Sequence, residues 1–291
     1  MAGDFDGENR SSPEEGHGKG HSADRKFVTA LARGLDVLRA FHARDCFLGN
    51  LEIAERTQLP KATVTRITYT LCTLGYLVHE PATGKYQLAP AAIMLGHAAL
   101  TNLRVRQIAH DLMEETANNL GAPVALGITH IDSALYVDIA RGGPWFDVQL
   151  DIGSRLPLAT SAMGRALLVA MCEAQRAIYM ERLKQKFHAN WPKMRDGIYK
   201  AIADYKSRGF VMSIGEWRSD INAIAVPLVA ADGSGIYAFN CGAPPAHFCC
   251  DRLVNETGPA IVKLAGLVND GLADAHQSIR TKMAPSSTLA R

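Results

Sequence analysis

A short amphipathic helix, a tight break and a second amphipathic helix in the first quarter of the chain most constrain its fold. Residues 50–56 predict the first helix, which Asn50 can cap, and residues 57–60 form the break. After Pro60, which suits the first turn of a helix, apolar residues recur at intervals of three and four until Gly75 ends the pattern. Two helices joined in this way are typical of a helix-turn-helix.

The flanking segments extend this motif. Residues 29–41 predict a preceding helix, while residues 76–79 and 85–88 are extended runs around a turn-forming quartet at 81–84. The apolar residues that the three helices are predicted to bury are Leu31, Leu35, Leu38 and Phe41, then Leu51 and Ala54, then Val64, Ile67, Leu71 and Leu74. Three helices and a hairpin predict a winged helix-turn-helix domain over residues 25–88.

The outward face of the third helix is polar and basic, with no acidic residue between Lys61 and Arg66. The residues predicted to lie on it and to contact DNA are Lys61, Ala62, Thr63, Thr65, Arg66, Tyr69 and Thr70. Lys, Arg and Thr suit phosphates, Arg66 can pair with guanine, and Ala62 or a threonine methyl can touch a thymine methyl. The alternative interpretation is a solvated polar helix face.

Charge is distributed unevenly, although the net charge is only +2. Residues 25–104 hold ten basic and five acidic residues, whereas residues 1–24 hold two basic and six acidic ones. The basic excess therefore coincides with the predicted DNA-binding segment. Residues 1–24 are polar and almost without apolar side chains, which predicts a disordered tail, and residues 276–291 predict a flexible one.

Residues 89–104 are largely apolar and are predicted to form a helix. This helix is predicted to be a linker that packs against the same helix of a second chain. The following segment, residues 105–275, predicts an α+β domain with an antiparallel sheet. The strands predicted within it are 123–129, 133–139, 148–152, 210–213, 222–229 and 235–241, and the helices are one around 108–120, then 161–171, 173–187, 193–208 and 252–272.

Segment by segment, the chain resembles the IclR family of bacterial transcriptional regulators from about residue 26 to residue 275. The matching motifs in this sequence are Leu31–Leu38, Ala54–Thr57, Leu59–Thr63, Leu74–Tyr76 and Gly153–Leu168. The resemblance implies a winged helix-turn-helix, a linker helix used in dimer formation and a C-terminal GAF-like α/β effector-binding domain. It also implies a homodimer or tetramer that binds operator DNA, as repressor or activator, under control of a small organic or aromatic acid.

Residues 27–34 resemble the subgroup of this family that governs aromatic-acid degradation. Carried over by motif, the residues implied to bind the effector are Ala162, Met163, Ser213, Glu216, Asn222, Ala223, Phe239 and Cys241. An aromatic or partly apolar ligand would find surfaces among these residues and Trp217, and Arg218 could meet a carboxylate. The alternative is that Met163, Trp217 and Phe239 only fill the core.

No enzyme motif is present, and the ten histidines lack metal-ligand spacing, so neither catalysis nor a cofactor or metal is expected. The sequence shows no signal peptide and no apolar membrane span, and its six cysteines form no CxxC pair and have no regular spacing. These features predict a cytoplasmic protein with no membrane contact. One alternative function is a GAF-like small-molecule-binding or enzymatic module with a protein-contacting N-terminal domain. Another is a redox sensor that uses Cys241, Cys249 or Cys250.

Overall fold

The computed structural model describes residues 25–42, 45–143 and 150–283, and the chain divides into two compact units, one ending at Ala99 and one beginning at Leu100. The predicted tail over residues 1–24 lies outside the described residues, as do residues 284–291. No helix in the described ranges is long and apolar enough to cross a membrane.

The N-terminal unit is a winged helix-turn-helix, as the sequence predicts. Its helices are α1 (Thr29–Arg39), α2 (Asn50–Thr57) and α3 (Lys61–Thr73), and its strands are β1 (Leu48–Gly49), β2 (Leu77–Glu80) and β3 (Lys85–Leu88). The hairpin of β2 and β3 pairs Leu77 with Leu88, and the short β1, which was not predicted, adds to β3. Gly75 follows α3 with a φ of +77°, a conformation that favours glycine and ends the helix.

The core of this unit contains most of the residues predicted for it: Phe41, Ala54, Val64 and Leu71 are buried, and Leu38 and Ile67 pack against them. Val37, Ile53, Val64, Leu71 and Leu77 are buried, whereas Leu31, Leu35, Leu51 and Leu74, all predicted to be inward, are exposed. Helix α2 is capped from Gly49, whose N–H donates to Glu52 Oε2 at 2.8 Å, and not by Asn50 as the sequence predicts. In α1 and α2, packing between the helices decides which of the apolar side chains are inward.

The predicted apolar linker is the helix α4 (Pro90–Thr101), and none of its residues is buried. Ile93 and Met94 are each about 70% exposed, and Leu95 is exposed too. Residues 102–103 are not helical and the next helix, α5, begins at Arg104, so the predicted helix over residues 89–104 ends early, at Thr101. Helix α4 therefore presents an apolar surface that lies outside the cores of both units.

The C-terminal unit is built on an antiparallel sheet of six strands in the order β6-β5-β4-β9-β8-β7, which confirms the α+β class. The strands are β4 (Val124–His130), β5 (Ser133–Ala140), β6 (Arg155–Pro157), β7 (Val211–Ile214), β8 (Asn222–Val229) and β9 (Ile236–Ala243). The helices are α5 (Arg104–Leu120), α6 (Ala162–Ala170), α7 (Glu173–Phe187), α8 (Trp191–Arg208), α9 (Cys250–Arg252) and α10 (Gly258–Met283).

Both faces of this sheet are covered. One face packs against α5 and α10 through residues such as Met113 and Val268, and the other packs against α6, α7 and α8 through residues such as Leu167, Leu183 and Ile198. Because successive side chains of a strand point to opposite faces, β4, β5, β7, β8 and β9 contribute to both cores, whereas β6 contributes only Leu156, to the core against α6.

Two predictions for this unit were wrong in their bounds. Residues 150–152 form no strand, because Asp151 and Ser154 are joined in a turn around Gly153, whose φ is +90°; the strand is β6 instead. The last helix does not stop near residue 272 but continues to Met283 after a π-helical turn at Leu253–Thr257, so residues 276–283 are helical and not a flexible tail.

A bulge in β5 breaks the simple alternation of this strand. Gly127 pairs with Tyr136 and Leu126 pairs with Asp138, which leaves Val137 as an extra residue. Tyr136 and Ile139 consequently both belong to the face packed against α6, whereas Val137 faces α5 and α10. A strand of perfect alternation would place Tyr136 and Ile139 on opposite faces.

Gly164 in α6 has no room for a side chain, because a Cβ there would lie 2.4 Å from Leu158 Cα and 2.5 Å from the carbonyl oxygen of Pro157. Gly164→Ala is therefore expected to lower the free energy of unfolding of the C-terminal unit by about 1–3 kcal/mol. The readout is the urea midpoint of tryptophan fluorescence, since all three tryptophans follow residue 100.

Gly266→Ala in α10 is the matched control, because a Cβ there meets nothing within 4 Å. This control is expected to gain about 0.5–1 kcal/mol from helix propensity. If the urea midpoint of Gly164→Ala equals that of the native chain, the backbone at Leu158 can move to accommodate the Cβ without loss of stability, which would contradict the prediction.

Candidate nucleic-acid interface and ligand cavity

The outward face of α3 is accessible in the N-terminal unit. Lys61, Ala62, Thr65, Arg66, Tyr69 and Thr70 are exposed, and Thr63 is half-buried. Tyr69 is 75% exposed. No carboxylate of the described chain forms an ion pair with Lys61 or Arg66. The two cations are therefore free to meet an anionic surface.

Two of the three threonine hydroxyls of this face already have partners within the helix. Thr65 Oγ1 donates to the carbonyl oxygen of Lys61, and Thr70 Oγ1 donates to that of Arg66, both at 3.0 Å. A hydroxyl whose hydrogen is used in this way offers an acceptor and a methyl group, but no donor to phosphate. The side-chain donors that remain for phosphate or guanine are on Lys61, Thr63, Arg66 and Tyr69.

The neighbouring elements hold α3 in place. Asn50 Nδ2 in α2 donates to Thr65 Oγ1 at 3.2 Å. Arg56, also in α2, donates to the carbonyl oxygen of Ala40 at 2.8 Å and forms an ion pair with Asp45. The hydrogen bond from Arg56 lowers the pKa of Asp45 below its ordinary value. The helix-turn-helix is thus fixed by polar contacts at its rim as well as by its core.

The C-terminal unit contains a cavity between the sheet and the start of α6. Its floor is made of small residues on the sheet, among them Ala125, Ala223 and Gly242, which leave space above the strands. Its apolar walls include Ile139, Leu156, Ile221 and Trp217. The polar residues that line it are Tyr136, Arg141, Ser161, Ser213 and Asn240.

Three of the eight residues implied by motif to bind an effector line this cavity: Ala162, Ser213 and Ala223. Ser213 Oγ donates to the carbonyl oxygen of Thr160 at 2.7 Å, so this hydroxyl offers the cavity an acceptor only.

Phe239, Cys241 and Asn222 lie on the opposite face of the sheet. Phe239 and Cys241 belong to the core packed against α5 and α10, and Asn222 Nδ2 donates to the carbonyl oxygen of Phe248 at 2.9 Å. The strand alternation explains this placement, because the cavity-facing residues of β9 are Asn240 and Gly242, one position away. Burial also raises the pKa of the Cys241 thiol, which keeps this group protonated.

Met163 and Glu216 have packing roles instead of lining the cavity. Met163 is fully buried, and its sulfur occupies the place where a Cβ of Gly127 would be. Glu216 Oε1 and Oε2 accept hydrogen bonds from Arg165 Nη1 and Nη2 at 2.8 and 2.6 Å. These bonds hold the pKa of Glu216 below its ordinary value, so the carboxylate stays charged and engaged.

The pair of Arg165 and Glu216 fixes the loop that carries Trp217. Arg165 is only 2% exposed, and its Nε donates to the carbonyl oxygen of Ala159 at 2.8 Å. Its guanidinium lies over Gly197 of α8, where a Cβ would approach within 2.3 Å. The side chain therefore joins α6, α8 and the loop between β7 and β8.

Sequence reasoning missed Tyr136, Arg141 and Asn240 as cavity residues. Arg141 Nη2 is 2.9 Å from Asp151 Oδ2 in an exposed ion pair, whereas Arg218, the cation expected from sequence, is paired with Asp220 and does not line the cavity. The one available signal was Asn240, a polar residue in the apolar run of β9. Nothing in the sequence marks the bulge that brings Tyr136 to this face.

The cavity is suited to a small molecule with an apolar body and polar ends. Aliphatic walls and the Trp217 ring offer van der Waals surface. Arg141, directly after the end of β5, offers a cation, and Tyr136 and Asn240 offer neutral hydrogen-bonding groups. A ligand carboxylate could replace Asp151 as the partner of Arg141, because both are carboxylates.

Family profiles match both units. The profile described as the IclR helix-turn-helix domain matches residues 30–81, and the one described as the bacterial transcriptional regulator IclR C-terminal region matches residues 97–267. Together they cover α1 to β2 and the greater part of the C-terminal unit.

Curated proteins similar to this chain are also transcriptional regulators. The Pca regulon regulatory protein of Pseudomonas putida is 31% identical over 224 residues, which cover 75% of each chain. The HTH-type transcriptional regulator TsaQ1/TsaQ2 of Comamonas testosteroni is 29% identical over 239 residues, which cover 81% of this chain and 86% of that protein.

Solved structures similar to this chain are also those of IclR-family regulators. An IclR family transcriptional regulator from Brucella abortus is 41% identical, with a TM-score of 0.78 over 85% of this chain and 94% of that one. An IclR homologue from Microbacterium hydrocarbonoxydans, complexed with 4-hydroxybenzoate, has the same fold with a TM-score of 0.68 at 21% identity, over 84% of this chain and 99% of that one. This chain belongs to the IclR family of bacterial transcriptional regulators, with a helix-turn-helix DNA-binding domain and a C-terminal effector-binding domain.

Proposed function

We propose that a small aromatic or organic acid, bound in the cavity beside α6, controls the DNA binding of this regulator. The observation that carries the proposal is the lining itself, in which Trp217 and aliphatic walls lie in the same cavity as one arginine, Arg141. The resemblance of residues 27–34 to regulators of aromatic-acid degradation supports it. So does the 4-hydroxybenzoate in the Microbacterium hydrocarbonoxydans protein of the same fold.

The proposed mechanism is linkage between two sites of a cytoplasmic homodimer that needs no cofactor and acts by binding, without catalysis. Two copies of α3 would read half-sites separated by about 34 Å, one turn of the duplex, or a multiple of it. The acid changes operator affinity only by as much as its own affinity differs between the two arrangements of the dimer.

The residues proposed to contact DNA are those of the outward face of α3, with Arg66 as a base-reading residue and Lys61 and Tyr69 as phosphate donors. Arg66→Ala is expected to weaken binding to the upstream intergenic DNA of this gene by about 1–3 kcal/mol and to relax the preference at one base pair. The measurement is a fluorescence anisotropy titration at fixed salt, with base-substituted duplexes and scrambled DNA as competitors.

Arg39→Ala provides the control, because Arg39 is an exposed arginine of α1 in the same unit, outside the α3 face. This variant is expected to bind as the native chain does. An equal loss on every duplex after Arg66→Ala would limit Arg66 to a phosphate contact. Binding of the native chain to its operator no tighter than to scrambled DNA would oppose the α3 assignment.

Arg141 is proposed to meet the carboxylate of the acid. Arg141→Gln is expected to weaken binding of 4-hydroxybenzoate, measured by isothermal titration calorimetry, by about three- to tenfold, a loss limited by solvent screening at this half-exposed group. Arg195→Gln is the matched control, since Arg195 forms a similar exposed ion pair with Asp196 at 3.0 Å. Equal affinities in the two variants would place the carboxylate elsewhere.

The dimer is proposed to form through the exposed apolar surface of α4. Met94→Glu is expected to shift the chain toward a monomer in light scattering at micromolar concentration, because it would place a charge in an apolar interface. Ile178→Glu on α7, also an exposed apolar position, is expected to leave the mass unchanged. An unchanged mass after Met94→Glu would mean that α4 does not form the interface.

A further inference from the structure

The cavity beside α6 has a buried polar pair in its lining that the preceding proposal does not use. Tyr136 on β5 and Asn240 on β9 are 3% and 7% exposed, and Asn240 Nδ2 donates to Tyr136 Oη at 3.0 Å. Both side chains line the cavity. They come from strands that are separated by β4 in the sheet, so the pair spans the strand between them.

This pair leaves hydrogen-bonding capacity unused. The Tyr136 hydroxyl accepts from Asn240 but still carries its own hydrogen, and Asn240 Oδ1 can still accept. Among the described residues, neither side chain forms another side-chain hydrogen bond. Buried groups of this kind usually have partners, because an unmade hydrogen bond in an apolar environment is costly.

The surroundings keep the pair open to the cavity. Ala125 on β4 and Ala225 on β8 are the residues directly paired with Asn240, so only methyl groups flank its side chain on the sheet. The bulge at Val137 places Tyr136 on the same face. Burial raises the pKa of the Tyr136 phenol, partly offset by the hydrogen bond from Asn240, so the phenol remains a neutral donor.

We propose that Tyr136 and Asn240 form a hydroxyl-recognition subsite, and that the effector is an acid that bears a hydroxyl group on its apolar body. The ligand hydroxyl accepts a hydrogen bond from Tyr136 Oη and donates one to Asn240 Oδ1. An alcohol or phenol does both, an ether or carbonyl only accepts, and a methyl group does neither. This inference rests on the proposed function, since it names the chemistry of the acid bound in the same cavity.

The specificity of the subsite follows from the free-energy cost of a bound ligand that leaves Tyr136 and Asn240 without hydrogen-bonding partners. A site with buried hydrogen-bonding groups rejects an analogue that lacks the matching group more strongly than an apolar pocket rejects a change of shape. A methyl group in place of the hydroxyl keeps the size of the ligand but would cover the polar pair without satisfying it. The subsite therefore distinguishes hydroxylated acids from their methyl and unsubstituted analogues.

The test is calorimetric titration of the full chain with three probes, 4-hydroxybenzoate, 4-methylbenzoate and benzoate. The native chain is expected to bind the hydroxylated acid about 10- to 100-fold more tightly than the methylated one. Tyr136→Phe is expected to remove most of this preference while it leaves the affinity for 4-methylbenzoate unchanged or increased. A merely structural tyrosine would alter all three affinities together.

Tyr237→Phe is the matched control, because Tyr237 is a buried tyrosine of β9 on the opposite face, with its hydroxyl near Ser234. It should retain the full preference. Asn240→Ala removes the acceptor from the other strand and replaces the first variant if Tyr136→Phe does not fold by circular dichroism. Loss of the preference in either cavity variant but not in Tyr237→Phe supports the subsite.

Two contrary results are distinguishable. If the native chain binds all three acids with similar affinity, or if the preference survives both Tyr136→Phe and Asn240→Ala, the hydroxyl subsite is overturned while the aromatic-acid proposal stands. If the native chain binds none of the three, the aromatic-acid effector itself is rejected, and the subsite with it.

Discussion

The C-terminal unit depends on a sheet that is buried on both faces. All strands but β6 supply side chains to two different cores, one against α5 and α10 and one against α6 to α8. In β9, Tyr237, Phe239 and Cys241 fill the first core with bulk, whereas Ala238, Asn240 and Gly242 face the second. The small residues on the second face leave the volume that becomes the cavity, so the cavity exists because the two faces are packed unequally.

The polar groups around the cavity are fixed by partners outside it. Arg165 is almost fully buried, and it is tolerated there because Glu216 and the carbonyl oxygen of Ala159 together satisfy its guanidinium. This arrangement sets the position of the loop that presents Trp217. A ligand thus meets a wall whose position is determined by α6 and α8, which is a condition for selective binding.

In the N-terminal unit, local sequence signals determine the boundaries of the elements, and packing determines which side chains are buried. Pro60, Gly75 and the turn at residues 81–84 determine where the elements begin and end, so the winged helix-turn-helix could be predicted from the sequence. The buried side chains could be predicted only in part: Phe41 and Val64 are inward as expected, but Leu31 and Val37 are both apolar and only contact with the other helices decides which of them is buried. The exposure of α4 was also predictable in kind, as an apolar helix with no core of its own.

The candidate site was predictable to the level of the segment but not of the side chain. The motif at Gly153–Leu168 located the start of α6 correctly, and Ser213 and Ala223 lie in the cavity as their positions implied. Phe239 and Cys241 lie one position from the cavity-facing residues of β9. Successive side chains of a strand point to opposite faces of the sheet, and the sequence alone does not say which face carries the cavity.

The sequence by itself determined the class of this protein, because turn residues, helical periodicity and the order of motifs are local properties of the chain. Tertiary structure alone decided that Tyr136 and Asn240, 104 residues apart, meet in one cavity. A one-residue bulge in β5 and the register of β9 on β4 produce that meeting, and both are set by pairing between distant strands.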